Sequence, residues 1–172
     1  MAKAKDFFDK LPTAKGSEGG VYFDPDHHYK VAVTKCIDKE GRSDDFFIVE
    51  ARIIESDNEK QGEGFCASQV VKLSLDAAAG NVADFLRAAW TVYSRDEEHG
   101  LDLLDPNNDE DWTDMKGMYN VACGEDNLLV DTIVYLKTTG IVTNKGKGSP
   151  FTIHSWYTDR PSSWPETVEE AN

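Results

Sequence analysis

Aromatic and basic side chains recur along the β-rich parts of this sequence at positions that could share one surface. The set comprises Phe46, Arg52, Lys72, Tyr135, Lys137, Lys145, Lys147, His154 and Trp156. Aromatic rings can stack on nucleobases and cations can contact phosphates, and single-strand binding without sequence preference needs both. Stacking is worth about 1–3 kcal/mol per base, so two or three such rings with phosphate contacts would give micromolar affinity. The set therefore predicts a surface that binds single-stranded nucleic acid.

Other kinds of chemistry lack a matching pattern. His27 and His28 stand beside Asp24 and Asp26, but no distant ligand pair completes a metal site, and we interpret this stretch as a surface turn. The carboxylates around Asp102–Asp114 lack the order of an EF-hand loop. No nucleophile elbow, phosphate-binding loop or dinucleotide-binding glycine pattern occurs. The sequence predicts no enzyme, no metal and no cofactor.

The charge of the chain is strongly negative but unevenly spread. The 172 residues carry a net charge of −14. Residues 76–127 hold three basic and thirteen acidic residues, a net charge of −10, whereas residues 1–20 hold four lysines and three acids, a net charge of +1. Net charge governs solubility and the choice of partner, so it does not exclude a local cationic groove. The acidic segment is either a solvated helical face, or a surface that confines nucleic acid to one side or recruits basic proteins.

The cysteines and the apolar runs favour a protein of the reducing cytosol. Cys36, Cys66 and Cys123 are odd in number and widely spaced, which is typical of free thiols, although Cys36 and Cys66 could approach each other on adjacent strands. No apolar run approaches the roughly 20 residues of a membrane helix. The first ten residues contain no apolar stretch typical of a signal peptide. We therefore expect neither membrane insertion nor secretion.

The stretch from Gly41 to Glu55 predicts the central strand that positions the candidate surface. Phe47, Val49, Ala51 and Ile53 are all apolar and fall on one side of a strand, so that side should face a core. The opposite side is mixed and carries Phe46 and Arg52. Alternation along the other strands places further residues on their more polar sides. We predict that these share the face of Phe46: Lys72, Tyr135, Lys137, His154 and Trp156. On the strand Tyr29–Ile37, alternation predicts that Val31, Val33 and Ile37 point inward and that Cys36 points outward.

The order of the elements predicts the fold class. Three strands end near Leu75, and a helix over 77–90 follows, with Asp76 as its N-cap and an apolar stripe that contains Phe85 and Leu86. The acidic segment 94–127 includes a short helix that carries Trp112, and strands over 128–138 and 151–157 complete the order. Three strands, a helical block and two strands predict an OB-fold, a five-stranded Greek-key barrel. The alternative is a β-sandwich with a helical insert.

The sequence predicts that the chain divides into three parts. Residues 1–20 predict a mobile Lys- and Gly-rich arm, or an arm whose Phe7 and Phe8 dock on a neighbour. Residues 21–157 predict one OB-fold domain with the acidic helical insertion at about 94–127. Residues 158–172 predict a C-terminal tail that is unpaired or loosely docked and ends in acidic residues.

Several local patterns together resemble a known family. They are Gly20–Tyr22, Gly41–Glu50, Gly80–Leu86, Leu136–Thr138 and Pro150–Trp156. In this combination the chain is similar to small OB-fold single-stranded DNA-binding proteins of tailed phages, over roughly residues 20–157. The resemblance implies a protein that coats single-stranded DNA during phage replication or recombination in the bacterial host cytoplasm. It also implies replication or recombination proteins as partners of the acidic segments, and allows a homo-oligomer. The alternative is an acidic phage structural or interaction protein, such as a particle component, an adaptor or a DNA mimic, that binds no nucleic acid.

Overall fold

A five-stranded antiparallel sheet dominates the molecule. The computed structural model describes residues 21–142 and 150–165. The strands are β1 (His28–Glu40), β2 (Asp45–Ser56), β3 (Cys66–Lys72), β4 (Ile133–Val142) and β5 (Pro150–Tyr157). Their spatial order is β3-β2-β1-β4-β5. The prediction of a mainly β protein with a helical block between its third and fourth long strands is confirmed.

The central strand β2 follows the predicted alternation. Phe47, Val49, Ala51 and Ile53 are fully buried, with an exposed fraction of 0% each. Burying a large aliphatic or aromatic side chain stabilises the folded state by about 1.5–3 kcal/mol. Because β2 is paired on both sides, by β1 and β3, a slip of one residue would expose all four of these side chains. This apolar set therefore fixes the register of the three-stranded half of the sheet.

Two helices fill the connection between β3 and β4. Helix α1 (Ala78–Ser94) buries Phe85 and Leu86 in the core, as its stripe predicted, and packs against β3, β4 and β5. The prediction of Asp76 as its N-cap is wrong. The N-cap is Ala77, which makes no side-chain capping bond, because a tight turn joins the Ala78 N–H to the Leu75 carbonyl. No helix within the described ranges is long and apolar enough to cross a membrane.

The acidic segment forms two short turns followed by a second helix. A 3₁₀ turn (Glu97–His99) and another (Asp109–Trp112) precede helix α2 (Met115–Ala122). The predicted short helix is thus split: the turn that holds Trp112 ends at Thr113, and Asp114 caps α2 by accepting the Gly117 N–H. Trp112 itself is buried, and its Nε1–H donates to the Asp105 carbonyl at 2.8 Å.

An irregularity in β1 overturns part of the predicted facing. The pairing of β1 with β2 shifts register between Val33 and Lys35, which reverses the facing of the residues beyond. Cys36 is consequently buried and Ile37 half-buried, the reverse of the predicted arrangement. Cys36 lies opposite Val49, and Cys66 lies opposite Arg52, so the two thiols are not cross-strand neighbours.

The facing of β5 is also the reverse of the prediction. Trp156 is only 4% exposed, its ring centroid lies 5.0 Å from that of Phe85, and its Nε1–H donates to the Gln69 Oε1 on β3 at 2.8 Å. The His154 ring lies edge-on to Phe23, with 6.3 Å between the ring centroids. The assignment of His154 and Trp156 to the nucleic-acid-binding face is therefore wrong. Both alternating sets on β5 contain large rings, so alternation alone could not decide which set is buried.

A short segment before β1 closes the gap between the two edge strands. The Val21 carbonyl accepts the Ser68 N–H of β3 at 2.9 Å, and Tyr22 forms an isolated parallel bridge with Ser68. Phe23 is 1% exposed and contacts the rings of Tyr29 and Trp156, at centroid distances of 5.1 and 6.4 Å. The segment fills the space between β3 and β5.

Replacing Phe23 by Ala should cost about 3–5 kcal/mol in the free energy of unfolding, because the ring leaves a cavity between the two sheet edges. Urea denaturation measures this cost. Tyr22→Ala is the matched control, because its side chain is 53% exposed and its loss should change stability by less than about 0.5 kcal/mol. Equal effects of the two substitutions would contradict the role assigned to Phe23.

The burial of His154 predicts a pH dependence of stability. Burial lowers the pKa of His154 to about 4, and its Nε2 has no hydrogen-bond partner among the described residues. The unfolded chain binds the proton more tightly, so stability should fall as the pH drops from about 6.5 to about 4, by about 3 kcal/mol in all. Denaturation of the wild type and of His154→Leu at pH 7, 5.5 and 4 tests this. The variant should lack this part of the slope, and identical slopes would contradict the prediction.

Candidate nucleic-acid interface on the outer face of the sheet

The side of the sheet that points away from the core gathers most of the predicted site residues. We call it the outer face. Phe46 and Arg52 on β2, Lys72 on β3, and Tyr135 and Lys137 on β4 all lie on it, because their buried neighbours along each strand point inward. His154 and Trp156 lie inside, and the predicted Lys145 and Lys147 lie outside the described residues. The outer face thus brings together five of the seven predicted residues that the structure describes.

One row of the outer face combines an aromatic ring with two cations. Phe46 on β2 lies directly opposite Lys39 on β1 and opposite Lys72 on β3. Directly opposed side chains on an antiparallel pair have Cβ atoms about 4.5–5.5 Å apart. A half-buried phenylalanine therefore stands between two lysines across three strands. The sequence did not point to Lys39, because its facing depends on the register shift in β1.

A tight turn supports this row at one end. The turn Gly41–Asp44 joins β1 to β2, and the Gly41 N–H donates to the Asp44 carbonyl at 2.8 Å. A Cβ atom at position 41 would collide with that carbonyl oxygen and would lie 3.4 Å from the Phe46 ring. The turn therefore packs close to the ring and requires glycine at this position.

Asp44 partly neutralises the positive charge of the row Lys39–Phe46–Lys72. Its carboxylate lies 3.2 Å from the Lys72 Nζ and accepts a hydrogen bond from the Ser74 hydroxyl at 3.0 Å. The hydrogen bonds from Lys72 and Ser74 hold the pKa of Asp44 below its usual value. Asp44 is thus ionised at neutral pH, where it offsets part of the positive charge that Lys72 offers to a phosphate.

A second group of rings, the Trp164 cluster, lies near the other end of β1. The ring of Trp164 packs against His28, Tyr135 and Tyr157, with centroid distances of 4.8, 6.1 and 5.4 Å. Lys30 and Arg160 line the crevice beside these rings. Trp164 is not among the predicted site residues, because no regular strand or helix pattern surrounds it. Its position is a consequence of tertiary packing.

The described part of the C-terminal tail is anchored to the domain. Asp159 accepts two hydrogen bonds from the Arg95 guanidinium, both at 2.8 Å. An Nη2–H of Arg160 donates to the Pro165 carbonyl at 2.7 Å. Residues 158–165 therefore contact the domain, which excludes the unpaired alternative for them and agrees with a docked tail.

The two adjacent histidines share one carboxylate partner. The Nδ1 atoms of His27 and His28 lie 3.1 and 2.7 Å from the two carboxylate oxygens of Asp57. Asp57 also accepts the His28 backbone N–H at 2.9 Å. Within residues 21–142 and 150–165, no group of three or more His, Cys, Asp or Glu side chains is arranged to hold a metal ion. Asp57 thus holds both imidazole rings at the start of β1, and one of these, the His28 ring, belongs to the Trp164 cluster.

Charge is segregated between the faces of the molecule. The strand positions of the outer face carry six cations, Lys30, Lys35, Lys39, Arg52, Lys72 and Lys137, and two carboxylates, Glu50 and Glu55. Most of the negative charge lies in residues 76–127, which contain the two helices and the turns between them. The net charge of −14 therefore coexists with a locally cationic sheet surface.

The outer face offers the Phe46 ring and the Trp164 cluster, with the cationic strand β1 between them. Phe46 lies opposite Lys39 and Tyr135 lies opposite Lys30, and these lysines are nine residues apart on β1, or about 30 Å. Such a surface can stack unpaired bases and contact phosphates along one path. No known family model matches the chain, and a search of curated proteins finds no match to it.

Proposed function

We propose that this protein binds single-stranded DNA without sequence preference along the outer face of its sheet. The observation that carries the proposal is the row Lys39–Phe46–Lys72, in which one ring stands between two cations on neighbouring strands. Stacking on aromatic rings and charge contacts with the backbone are the two interactions that single-strand binding requires. The apolar row Ile37–Ile48–Val70 lies beside it and extends the surface along the strands.

The topology supports the proposal through the OB-fold. The neighbour order β4-β1-β2-β3 agrees with the order expected of a Greek key, in which a fourth strand returns to lie beside the first, and this supports the proposal. In OB-folds, the face of strands 2 and 3 and the loops β1–β2 and β4–β5 bind oligonucleotides. Phe46 and Lys72 occupy that face here, the turn Gly41–Asp44 is the first loop, and the second loop contains Lys145 and Lys147. We propose that the sheet is an OB-fold and that these lysines contribute to binding.

The biological setting of the proposal comes from the family resemblance. A protein of this kind coats single strands during phage replication or recombination in the cytoplasm of the bacterial host. Replication or recombination proteins would then be partners of its acidic segments, and the coat could be a homo-oligomer.

A second candidate function rests on the acidic segment. Leu101 and Leu103 are 44% and 70% exposed, and they are surrounded in sequence by Glu98, Asp102 and Asp105. Exposed apolar residues among acids fit a surface that recruits a basic protein. In this alternative the chain is an acidic adaptor or particle component that ignores DNA. The titrations below separate the two candidates, because an adaptor would not bind oligo-dT at about 50 mM salt and micromolar protein.

Phe46→Ala should weaken the binding of a labelled oligo-dT by about 1–3 kcal/mol, or about 5- to 150-fold, because one stacking partner is lost. Fluorescence anisotropy at low salt measures the affinity. Phe65→Ala is the matched control, since Phe65 is 37% exposed and precedes β3 at the other end of the sheet. Equal affinities of Phe46→Ala and the wild type would exclude this row as the binding site.

Asp44→Asn should strengthen binding about two- to fivefold at low salt, because the variant lacks the exposed carboxylate that competes with a phosphate for Lys72. The gain should shrink as salt rises. Lys72→Ala should lower the slope of log affinity against log salt by about 0.7, the value for one phosphate contact with a single strand. Weaker binding by Asp44→Asn would contradict the assignment of Lys72 as a phosphate contact.

A further inference from the structure

An apolar groove opens between α1, α2 and the chain that leaves β3. Its volume is about 470 Å³, and Leu73, Val82, Leu86, Met115 and Tyr119 are among the residues that line it. Pockets that bind ligands have volumes of about 300–1,000 Å³. The groove is formed by the helical block and the end of β3, so DNA on the outer face would not fill it. Its volume and its apolar lining suit an occupant with large apolar side chains.

Acidic residues lie close to the groove, although Lys116 is among the residues that line it. The Tyr119 hydroxyl donates to the Asp38 carboxylate at 2.8 Å, and burial, together with nearby Asp38 and Asp45, raises the pKa of Tyr119 above its ordinary value. Asp114 caps α2 directly before Met115. The segment 76–127, which supplies both helices, has a net charge of −10. An occupant that carries positive charge beside its apolar side chains would therefore be favoured.

The chain itself contains a segment with this chemistry. Residues 5–11 read Lys-Asp-Phe-Phe-Asp-Lys-Leu, with Phe7, Phe8 and Leu11 as large apolar side chains and a lysine at each side of the Phe-Phe pair. Aromatic side chains bury large apolar areas and dominate the energetics of such contacts. Methionine adapts its shape to aromatic partners, and Met115 lies in the groove.

The distance along the chain matches the distance to the groove. The Val21 carbonyl accepts a hydrogen bond from the Ser68 N–H of β3. Leu73, which lines the groove, lies five residues beyond Ser68, or about 17 Å away. Ten residue steps separate Leu11 from Val21, and a Gly/Ser-rich chain of that length has a root-mean-square end-to-end distance of about 17 Å. The effective concentration of a tethered ligand is highest when these two lengths agree. The reach therefore favours the chain's own segment over that of a second copy.

We propose that the groove between α1 and α2 binds residues 5–11 of the same chain, with Phe7, Phe8 and Leu11 seated in the groove and the lysines facing its acidic surroundings. The docked segment would cover Met115 and Val82 and would join the N-terminus to the helical block. This contact is independent of DNA binding, so it can be tested whatever the outcome of the oligonucleotide titrations.

Photo-crosslinking of the full chain tests the site directly. A photoreactive benzoylphenylalanine at position 7 should form adducts within one chain to the peptides 78–86 or 115–119, identified by mass spectrometry. The yield should not change on tenfold dilution, because the contact is intramolecular. Adducts to other regions, adducts between two chains, or no adducts would each overturn the proposal.

A groove variant provides the matched control with the native arm. Ala79 is exposed and lines the groove, whereas Ala77 is exposed and does not, so Ala79→Arg should displace the lysine-flanked segment and Ala77→Arg should not. Trypsin cleavage after Lys10 should become at least threefold faster in Ala79→Arg, while cleavage after Lys15 stays unchanged. Equal melting temperatures of the two variants exclude unfolding as the cause. Equal Lys10 cleavage rates in both variants and the wild type would overturn the proposal.

Discussion

The buried hydroxyl of Tyr29 is the point at which three separate parts of the chain are joined. It lies 3.0 Å from the carbonyl of Asp24 and 3.0 Å from the Gln61 Oε1, and it accepts a hydrogen bond from the Asn58 amide at 3.1 Å. Burial raises the pKa of Tyr29 to about 12, so the hydroxyl stays neutral and able to donate. Gln61, in the loop after β2, bonds the backbone of Tyr22 and Asp24 before β1, and its carbonyl accepts a hydrogen bond from the Ser56 hydroxyl at the end of β2. Because an unpaired buried polar group costs about 1–3 kcal/mol, this network holds the segment with Phe23 in place, and with it the core between the sheet edges.

The fold was predictable where one strand face is uniformly apolar and not where both faces carry large rings. On β2 the inward set contains no polar residue, so only one facing buries it well, and the prediction is correct. On β5, one alternating set contains His154 and Trp156 and the other contains Ile153 and Tyr157. Both sets contain large side chains, so either could have been the buried one. The choice there depends on the space left between β3 and β5, which the Trp156 indole fills while bonding Gln69. That space is a tertiary feature and has no counterpart in the local sequence.

The candidate site shows the same division between local and tertiary information. Phe46 and Arg52 were identified from the strand pattern alone, and their facing is as predicted. Lys39 was not identified, because the register shift between Val33 and Lys35 changes which β1 residues share the face of Phe46. Trp164 was not identified either, since an irregular tail brings it to the sheet through the ion pair of Arg95 and Asp159 that precedes it. The acidic composition was a correct description of the helical block but not of the sheet.

The bridge between Tyr22 and Ser68 covers part of the edge of the sheet at β3. The edge of a sheet presents unpaired backbone groups and is a template for another chain, and proteins often protect such edges by covering them. Here the Val21 carbonyl takes up the Ser68 N–H, so the residues before β1 occupy the edge of β3. The stretch from Val70 to Leu73 is short, and Lys72 on it adds a charge that discourages pairing. A chain that began after Asp24 would expose both this edge and the apolar space behind it, and would be prone to form intermolecular strands.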